Sequence, residues 1–359
     1  MPHDFENPYS NLFEDLLRKA KDQRASDIHI QPERDGVQVR FRVNGELIPF
    51  KWIPEIHKVI FLQEAKRLSN CSIGISGRAQ DARFSFRELA LDVRANLIPS
   101  LFGEKLVLRL LDQARQFDLD TIGLELSAKA AIEKALGYGD GVCLITGPTG
   151  SGKTTLLYSA LAALDREAMN IVTIEDPIEY TFPGITQVQV SQRLTFGDSL
   201  RAMLRQDPDV ILVGEVRDRE TAELCFQAAS TGHLVLSTLH ANDSKEVVRR
   251  LQGLGVENDA IKSCLRFSSA QRLLPKICGR CSLPVSDPAL PASHDEMRMY
   301  RKRSPGCGAC KRGLVGMVPV LEHIDWVNGD GEKKLVTLKE LALKKAIEGE
   351  VDVYDAIAV

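Results

Sequence analysis

A glycine-rich stretch at positions 147–154 constrains the fold more than any other part of this chain. It reads Gly-Pro-Thr-Gly-Ser-Gly-Lys-Thr and matches the phosphate-binding pattern G-x-x-x-x-G-K-[ST]. It follows the apolar run Val142–Thr146 and leads into a plausible helix. A strand, a glycine loop and a helix in this order predict a βαβ unit and argue against an accidental glycine-rich turn.

The pattern predicts how an ATP molecule and its Mg²⁺ ion are held. Backbone N–H groups of such a loop point at phosphate oxygens, and the following helix adds the partial positive charge of its N-terminus. Lys153 can reach the β- and γ-phosphates, and the Thr154 hydroxyl can bind Mg²⁺. The predicted nucleotide-binding residues are Gly147, Pro148, Thr149, Gly150, Ser151, Gly152, Lys153, Thr154 and Thr155.

The 359 residues divide into two predicted domains. Residues 1–112 combine two helical patterns with alternating apolar runs and an Asn44-Gly45 hairpin turn, which predicts a small α+β domain with a mainly antiparallel sheet. Residues 113–120 are charged and poorly patterned and form the predicted linker. In residues 121–359, strands alternate with helices, which predicts an α/β domain with a parallel sheet.

Charge and hydropathy argue against several classes of protein. The net charge is −3, whereas nucleic-acid-binding proteins usually carry a basic excess, so no nucleic-acid partner is expected. The N-terminus lacks the basic and apolar regions of a signal peptide. No run approaches the roughly 18 apolar residues of a membrane span. We therefore expect a cytoplasmic protein that meets membranes only through partners.

Acidic residues follow two further predicted strands, where a hydrolase that acts on ATP needs carboxylates. The strand at 170–174 leads into a proline-broken turn with three acids, the last of which is Glu179. The run at 210–213 ends in Gly214-Glu215, the layout of a Walker B strand with Glu in place of Asp. One such acid is usually only solvated, but two on separate strands favour a function. His240 follows a fourth strand and is equally compatible with packing and with sensing the γ-phosphate.

Four of the eight cysteines form two C-x-x-C pairs, separated by 25 residues. Cys278, Cys281, Cys307 and Cys310 can together surround a tetrahedral Zn²⁺ ion, which would order the Pro- and Gly-rich element at 275–316. In a reducing compartment such pairs indicate a metal more than disulfides. Free thiols or a redox pair are the alternatives.

Five blocks of the sequence resemble, in order, the motifs of the secretion ATPase superfamily, in particular its type II secretion and type IV pilus assembly branch (the GspE/PilB group). They are an opening signature, the Walker A motif, an aspartate box, an atypical Walker B motif and a histidine box, at 24–29, 147–154, 173–180, 204–218 and 232–240. The resemblance implies a PAS-like first domain and a RecA-like second domain.

The resemblance also implies roles for single residues. Glu179 matches the glutamate that activates water, Glu215 the residue that acts on the metal and its waters, and His240 the histidine-box residue. Arg94 and Arg109 match arginine fingers that reach the γ-phosphate, a task that suits an always-charged guanidinium. Without the resemblance, these would be two arginines on strand surfaces.

The family forms hexameric rings that work on a platform protein of the bacterial inner membrane. The tetracysteine element belongs to its secretion and pilus-extension branch and is absent from the retraction branch, so we expect a homo-hexameric motor for assembly. The chain begins close to the family's second domain, so we expect membrane docking through a surface other than the usual recruitment domain. A pilus retraction ATPase, a RecA-like nucleic-acid translocase and a scaffold that only binds nucleotide are the alternatives.

Overall fold

The computed structural model describes residues 8–285, 300–327, 330–331 and 336–359. The chain forms two compact units, Met1–Gln116 and Phe117–Val359. The division falls within the segment expected to be a linker. None of the helices in the described ranges is long and apolar enough to cross a lipid bilayer.

The first unit is a six-stranded antiparallel sheet with two helices. The strands lie in the order β3-β2-β1-β6-β5-β4, and every neighbouring pair is antiparallel. The elements are α1 (Pro8–Asp22), β1 (Asp27–Glu33), β2 (Gly36–Val43), β3 (Glu46–Pro54), α2 (Glu55–Leu68), β4 (Gln80–Phe86), β5 (Leu91–Ser100) and β6 (Gly103–Asp112).

The two faces of this sheet differ because apolar and polar residues alternate along its inner strands. One face packs in a single core with Phe13, Leu16 and Leu17 of α1 and Phe61 of α2. The opposite face carries charged side chains. The hairpin between β2 and β3 turns at Asn44-Gly45, where both residues have positive φ angles, as the dipeptide predicted.

The second unit has an eight-stranded sheet in the order β16-β15-β12-β7-β11-β10-β8-β9. Neighbouring strands from β12 to β9 in this order pair in parallel. Strand β15 pairs antiparallel with β12, and β16 pairs antiparallel with β15. The elements are α3 (Leu126–Leu136), β7 (Gly141–Thr146), α4 (Lys153–Ala162), β8 (Ile171–Glu175), β9 (Thr186–Gln189), α5 (Phe196–Met203), β10 (Val210–Val213), α6 (Arg219–Ser230), β11 (Leu234–Leu239), α7 (Glu246–Gly253), α8 (Asn258–Cys264), β12 (Leu265–Ile277), β13 (Leu283–Pro284), β14 (Arg301–Lys302), β15 (Leu314–Val327), β16 (Asp330–Gly331), α9 (Leu338–Ile347) and α10 (Val353–Ile357).

Strands β7, β8, β10 and β11 are buried along their whole length, as expected for a parallel sheet covered on both faces. Alternate residues enter two separate cores. One core contains residues of α5 and α6, and the other contains residues of α3 and α4. The fold class predicted from the sequence, a PAS-like α+β unit followed by a RecA-like P-loop unit, is confirmed.

The structure adds two long strands that the hydrophobic pattern did not single out. Strand β12 pairs with β7 on the side away from β11, and β15 pairs with β12. The cysteine-rich element is thus an insertion between two paired strands. Part of it, residues 286–299, lies outside the described residues. The predicted C-terminal helix is α9, which starts with a capping box formed by Thr337 and Glu340.

Candidate functional site

The glycine-rich loop joins the end of β7 to the start of α4 at Lys153. Gly147, Gly150 and Gly152 have φ angles of 142°, 79° and 89°. A Cβ atom at Gly147 would lie 2.5 Å from the carbonyl oxygen of Gln271, and one at Gly152 would lie 2.7 Å from Gln271 Nε2. Glycine is therefore required here both by the left-handed backbone and by the close approach of β12.

Lys153, at the end of this loop, bonds to carbonyl oxygens of the loop itself. Its Nζ donates to the carbonyl oxygens of Gly147, at 2.8 Å, and Pro148, at 2.9 Å. Burial lowers the pKa of Lys153, and Arg272 acts in the same direction, while the Glu215 carboxylate opposes them. An ammonium held by neutral carbonyls gains from a phosphate oxygen, which forms a stronger charge-assisted hydrogen bond.

Two buried polar atoms, one in the loop and one on the strand packed against it, have no hydrogen-bond partner within the described part of the chain. They are Ser151 Oγ and Gln271 Oε1, on residues that are each 3% exposed. Buried polar groups are normally satisfied, so such atoms indicate a place for water or a ligand group. Thr154 and Thr155 lie in the first turn of α4, where backbone N–H groups lack helical partners. The cradle fits a phosphate chain, and Thr154 offers a hydroxyl for Mg²⁺.

Glu215 and His240, which follow two adjacent strands, are in direct contact. Glu215 Oε1 lies 2.6 Å from His240 Nε2, and Arg217 donates to Glu215 Oε2 at 2.7 Å. Because a carboxylate can only accept, His240 Nε2 carries a proton. Close packing favours glycine at position 214, before Glu215, because a Cβ atom there would lie 3.3 Å from the carbonyl oxygen of Ile174.

The three acids at the end of β8 and in the turn that follows it have different environments. Glu175 is buried and accepts from the Tyr158 hydroxyl, from Thr173 Oγ1 at 2.7 Å and from Gln187 Nε2 at 3.2 Å. Both of its oxygens are therefore engaged inside the protein. Asp176 is exposed, and Glu179 is half-buried. Glu175 is thus a structural carboxylate, which leaves Glu179 as the candidate on this loop.

The other histidine that flanks β11 has a structural role. His233 Nδ1 lies 2.8 Å from the carbonyl oxygen of Ala228 and 3.1 Å from Thr231 Oγ1. Since the carbonyl can only accept, Nδ1 carries the proton. His233 therefore adds a side-chain bond to the Ala228 carbonyl near the C-terminus of α6, which also accepts from the Thr231 hydroxyl and from the backbone N–H of His233.

The charged face of the first unit carries both predicted arginine fingers. Arg94 and Arg109 are cross-strand partners, and Arg109 is also paired with Asp27 of β1. Paired residues on adjacent strands share a face, and this row continues to Arg83 on one side and Arg42 on the other. Asp27 is buried, and its Oδ1 accepts from Arg109 Nε at 3.2 Å. The sheet thus aligns four guanidinium groups in one row, with the Asp27 carboxylate between Arg42 and Arg109.

The four cysteines of the C-x-x-C pairs converge at the base of the inserted element. Their Sγ atoms all lie within 4.8 Å of one another, with Cys281–Cys310, Cys307–Cys310 and Cys278–Cys307 separations of 3.6, 3.7 and 4.0 Å. A tetrahedral zinc–thiolate site with bonds of about 2.3 Å has sulfur–sulfur edges of about 3.8 Å. The four thiols can therefore hold one metal ion.

The sequence did not reveal three residues around the loop. Gln271 and Arg272 are polar residues that interrupt the apolar run of β12, and this interruption is the sequence feature that could have indicated their role. Arg272 donates to the carbonyl oxygens of Gln271, at 3.1 Å, and Asn242, at 2.9 Å, so it bridges the strand under the loop to the segment after His240. Tyr158 gave no signal, because it reads as an ordinary core residue of α4.

Fold and site define a P-loop nucleoside triphosphatase of RecA-like architecture. The sequence model of the Type II/IV secretion system protein family matches residues 3–348, and the chain belongs to that family.

Individual relatives agree with this assignment. The chain is 41% identical over 357 residues to the "Protein transport protein HofB homolog" of Escherichia coli K12, covering 95% of this chain and 77% of the relative. It is 39% identical over 360 residues to the type IV pilus assembly ATPase PilB of Myxococcus xanthus, covering 96% of this chain and 62% of the relative. The chain thus spans only part of the length of these relatives.

A solved structure extends the comparison to the fold. The pilus retraction motor PilT with bound ADP is 26% identical, with a TM-score of 0.66 over 96% of this chain and 95% of that chain. The comparisons place the chain among the ATPases of secretion and pilus systems. They do not address single residues, so the roles of Glu179, Glu215, His240, Arg94 and Arg109 stay predictions.

Replacing Gly152 by Ala should lower the affinity for ATP about tenfold or more. The new Cβ atom adds left-handed strain of about 1–2 kcal/mol and would also lie 2.7 Å from Gln271 Nε2, so the loop or the Gln271 side chain must shift. Titration with a fluorescent ATP analogue measures the effect.

The matched control is Gly139→Ala. Gly139 also has a positive φ, 73°, but its Cβ position has no neighbour within 4 Å. It should lose stability only, as measured by urea unfolding. Equal nucleotide affinity in both variants would contradict the packing argument.

Proposed function

We propose that this protein is an ATP-hydrolysing subunit of a homo-hexameric motor that drives pseudopilus or pilus assembly. The observation that carries the proposal is the contact between Glu215 and His240 beside the P-loop. The Glu215 carboxylate is close enough to Lys153 of that loop to raise the pKa of its ammonium group, against the effect of burial. The comparisons with secretion and pilus ATPases supply the biological setting.

In the proposed mechanism, the loop residues bind the phosphates and Lys153 moves from two carbonyls to the β- and γ-phosphates. Thr154 and Glu215 would hold Mg²⁺ and its waters, and the ion would supply charge neutralisation at the phosphates. Glu179 accepts the proton of the attacking water. His240, which is bonded to Glu215 and follows β11, couples the loss of the γ-phosphate to a movement at the end of that strand.

Arg94 and Arg109 supply guanidinium groups to the γ-phosphate in this proposal. Asp27 supports the role of Arg109, because a buried carboxylate bonded to Nε leaves the terminal nitrogens of the guanidinium available. The Arg109 side chain is 62% exposed, as a group that meets a phosphate must be.

In this proposal, the four converging cysteines would hold one Zn²⁺ ion. The ion is structural, since four protein thiolates fill a tetrahedral site. This element favours assembly as the direction of work. A retraction motor is the second candidate, and the likeness to PilT is the observation in its favour.

The proposed partner is a platform protein of the bacterial inner membrane, and the proposed location is the cytoplasm beside that membrane. A pull-down from membranes of the source cell, followed by mass spectrometry, tests this. Recovery of a polytopic membrane protein with pilin-like neighbours supports the motor. Recovery of nucleic acid without a membrane partner favours a translocase.

Changing Glu179 to Gln should lower the ATPase kcat by about 10²–10⁴-fold and leave the Kd for ATP unchanged, because an amide cannot accept the proton. A steady-state phosphate-release assay and equilibrium nucleotide binding give the two values. Glu167→Gln, a change at an exposed carboxylate on the loop after α4, is the control and should keep full turnover. Unchanged turnover in the Glu179 variant would overturn the assignment of the base.

The purified chain should contain one zinc ion, and Cys307→Ser should remove most of it, because a three-thiolate site binds more weakly. Plasma emission spectroscopy gives the metal content. Cys71→Ser serves as the control, since Cys71 is buried in the first unit, apart from the four cysteines. Equal zinc in both variants, or none in the unaltered protein, would contradict the site.

A further inference from the structure

The Tyr158 hydroxyl connects the P-loop helix to the loop that carries Glu179. Tyr158 lies on α4, about 7.5 Å along the helix axis from Lys153. Its hydroxyl donates to Glu175 Oε2, and the backbone N–H of Glu179 donates back to the same hydroxyl at 3.4 Å. One oxygen atom thus joins the helix that starts at the phosphate site to the predicted base.

The hydroxyl is fixed as a donor toward Glu175. Burial, together with the Glu175 charge, raises the pKa of Tyr158, so the phenol stays protonated. The ring is 1% exposed and lies against the rings of Phe117, Tyr180 and Phe182. A fully buried ring with a hydrogen-bonded hydroxyl has little freedom to move.

The remainder of the loop is held from its other end. Gln187 of β9 donates to the carbonyl oxygen of Tyr180 at 2.9 Å and accepts from the N–H of Phe182 at 2.8 Å. These bonds fix the backbone that follows Glu179. The Tyr158 hydroxyl in turn contacts the backbone of Glu179 itself.

We propose that Tyr158 is a positioning residue that sets the place of Glu179 relative to the phosphate-binding helix. The proposal rests on the proposed role of Glu179 as the base. It implies that a shift of α4 on phosphate binding or release also moves the base, because the two share one hydroxyl.

The test compares Tyr158→Phe with Thr173→Val. Both changes keep the shape of the side chain and remove one hydroxyl that donates to Glu175, but only Tyr158 also contacts Glu179. We expect Tyr158→Phe to lower kcat about tenfold or more, with the Kd for ATP unchanged within twofold, because a small displacement of a catalytic group is costly. Thr173→Val should keep kcat within twofold.

Several outcomes would overturn the proposal. Unchanged kcat in Tyr158→Phe is one, and an equal loss in both variants is another, since the effect would then run through Glu175 alone. Tyr300→Phe, at a buried tyrosine in a different core, shows what loss of a phenol hydroxyl does elsewhere and should change nothing.

Parallel assay of Glu179→Gln separates the two proposals. If that variant keeps its turnover, the role of Glu179 is wrong. If it loses turnover while Tyr158→Phe does not, only the role of Tyr158 is wrong.

Amide exchange of the unaltered protein provides a test that needs no variant. The Glu179 amide should be protected, as should that of Val190, which donates to the Glu175 carbonyl at 2.9 Å. Free exchange at Glu179 alongside protection at Val190 would overturn the proposal.

Discussion

The close packing of β12 against the phosphate loop is the constraint on which the rest of the second unit depends. The carbonyl and side-chain amide of Gln271 occupy the space that side chains at Gly147 and Gly152 would need. Because protein interiors are close-packed, neither partner can move without the other. The same strand carries Arg272 and pairs with β15, so the shape of the loop is set from below as well as by whatever it binds.

Parallel strand pairing then brings the candidate functional residues together at one edge of the second unit's sheet. Leu239 is paired with Thr146, and Val213 with both Ser237 and Ile174. The segments that follow these strands hold the phosphate loop, His240, Glu215 and the loop with Glu179. Their proximity needs no long-range signal in the sequence, because the carboxyl ends of parallel strands meet at the same edge.

The sequence was sufficient wherever one local pattern determines the structure. The P-loop, the Asn44-Gly45 hairpin and the four core strands each have such a pattern, and the fold class followed from them. Strand β12 was missed because its run contains Ser and Gln at buried positions and Arg at half-buried ones. The sequence also did not distinguish the structural carboxylate of Glu175 from the candidate base Glu179. This distinction depends on the bonds of Glu175 to Tyr158 and Gln187, which lie on other elements.

Both oxygens of Glu215 are already bonded, one to His240 and the other to Arg217. In the proposed mechanism, a metal-bound water at this carboxylate would compete with the His240 and Arg217 donors for the same lone pairs. Binding of the metal would then also release one of these two donors. The released side chain would belong either to the end of β11 or to the segment that leads into α6, so this one carboxylate would link the nucleotide to two elements of the protein.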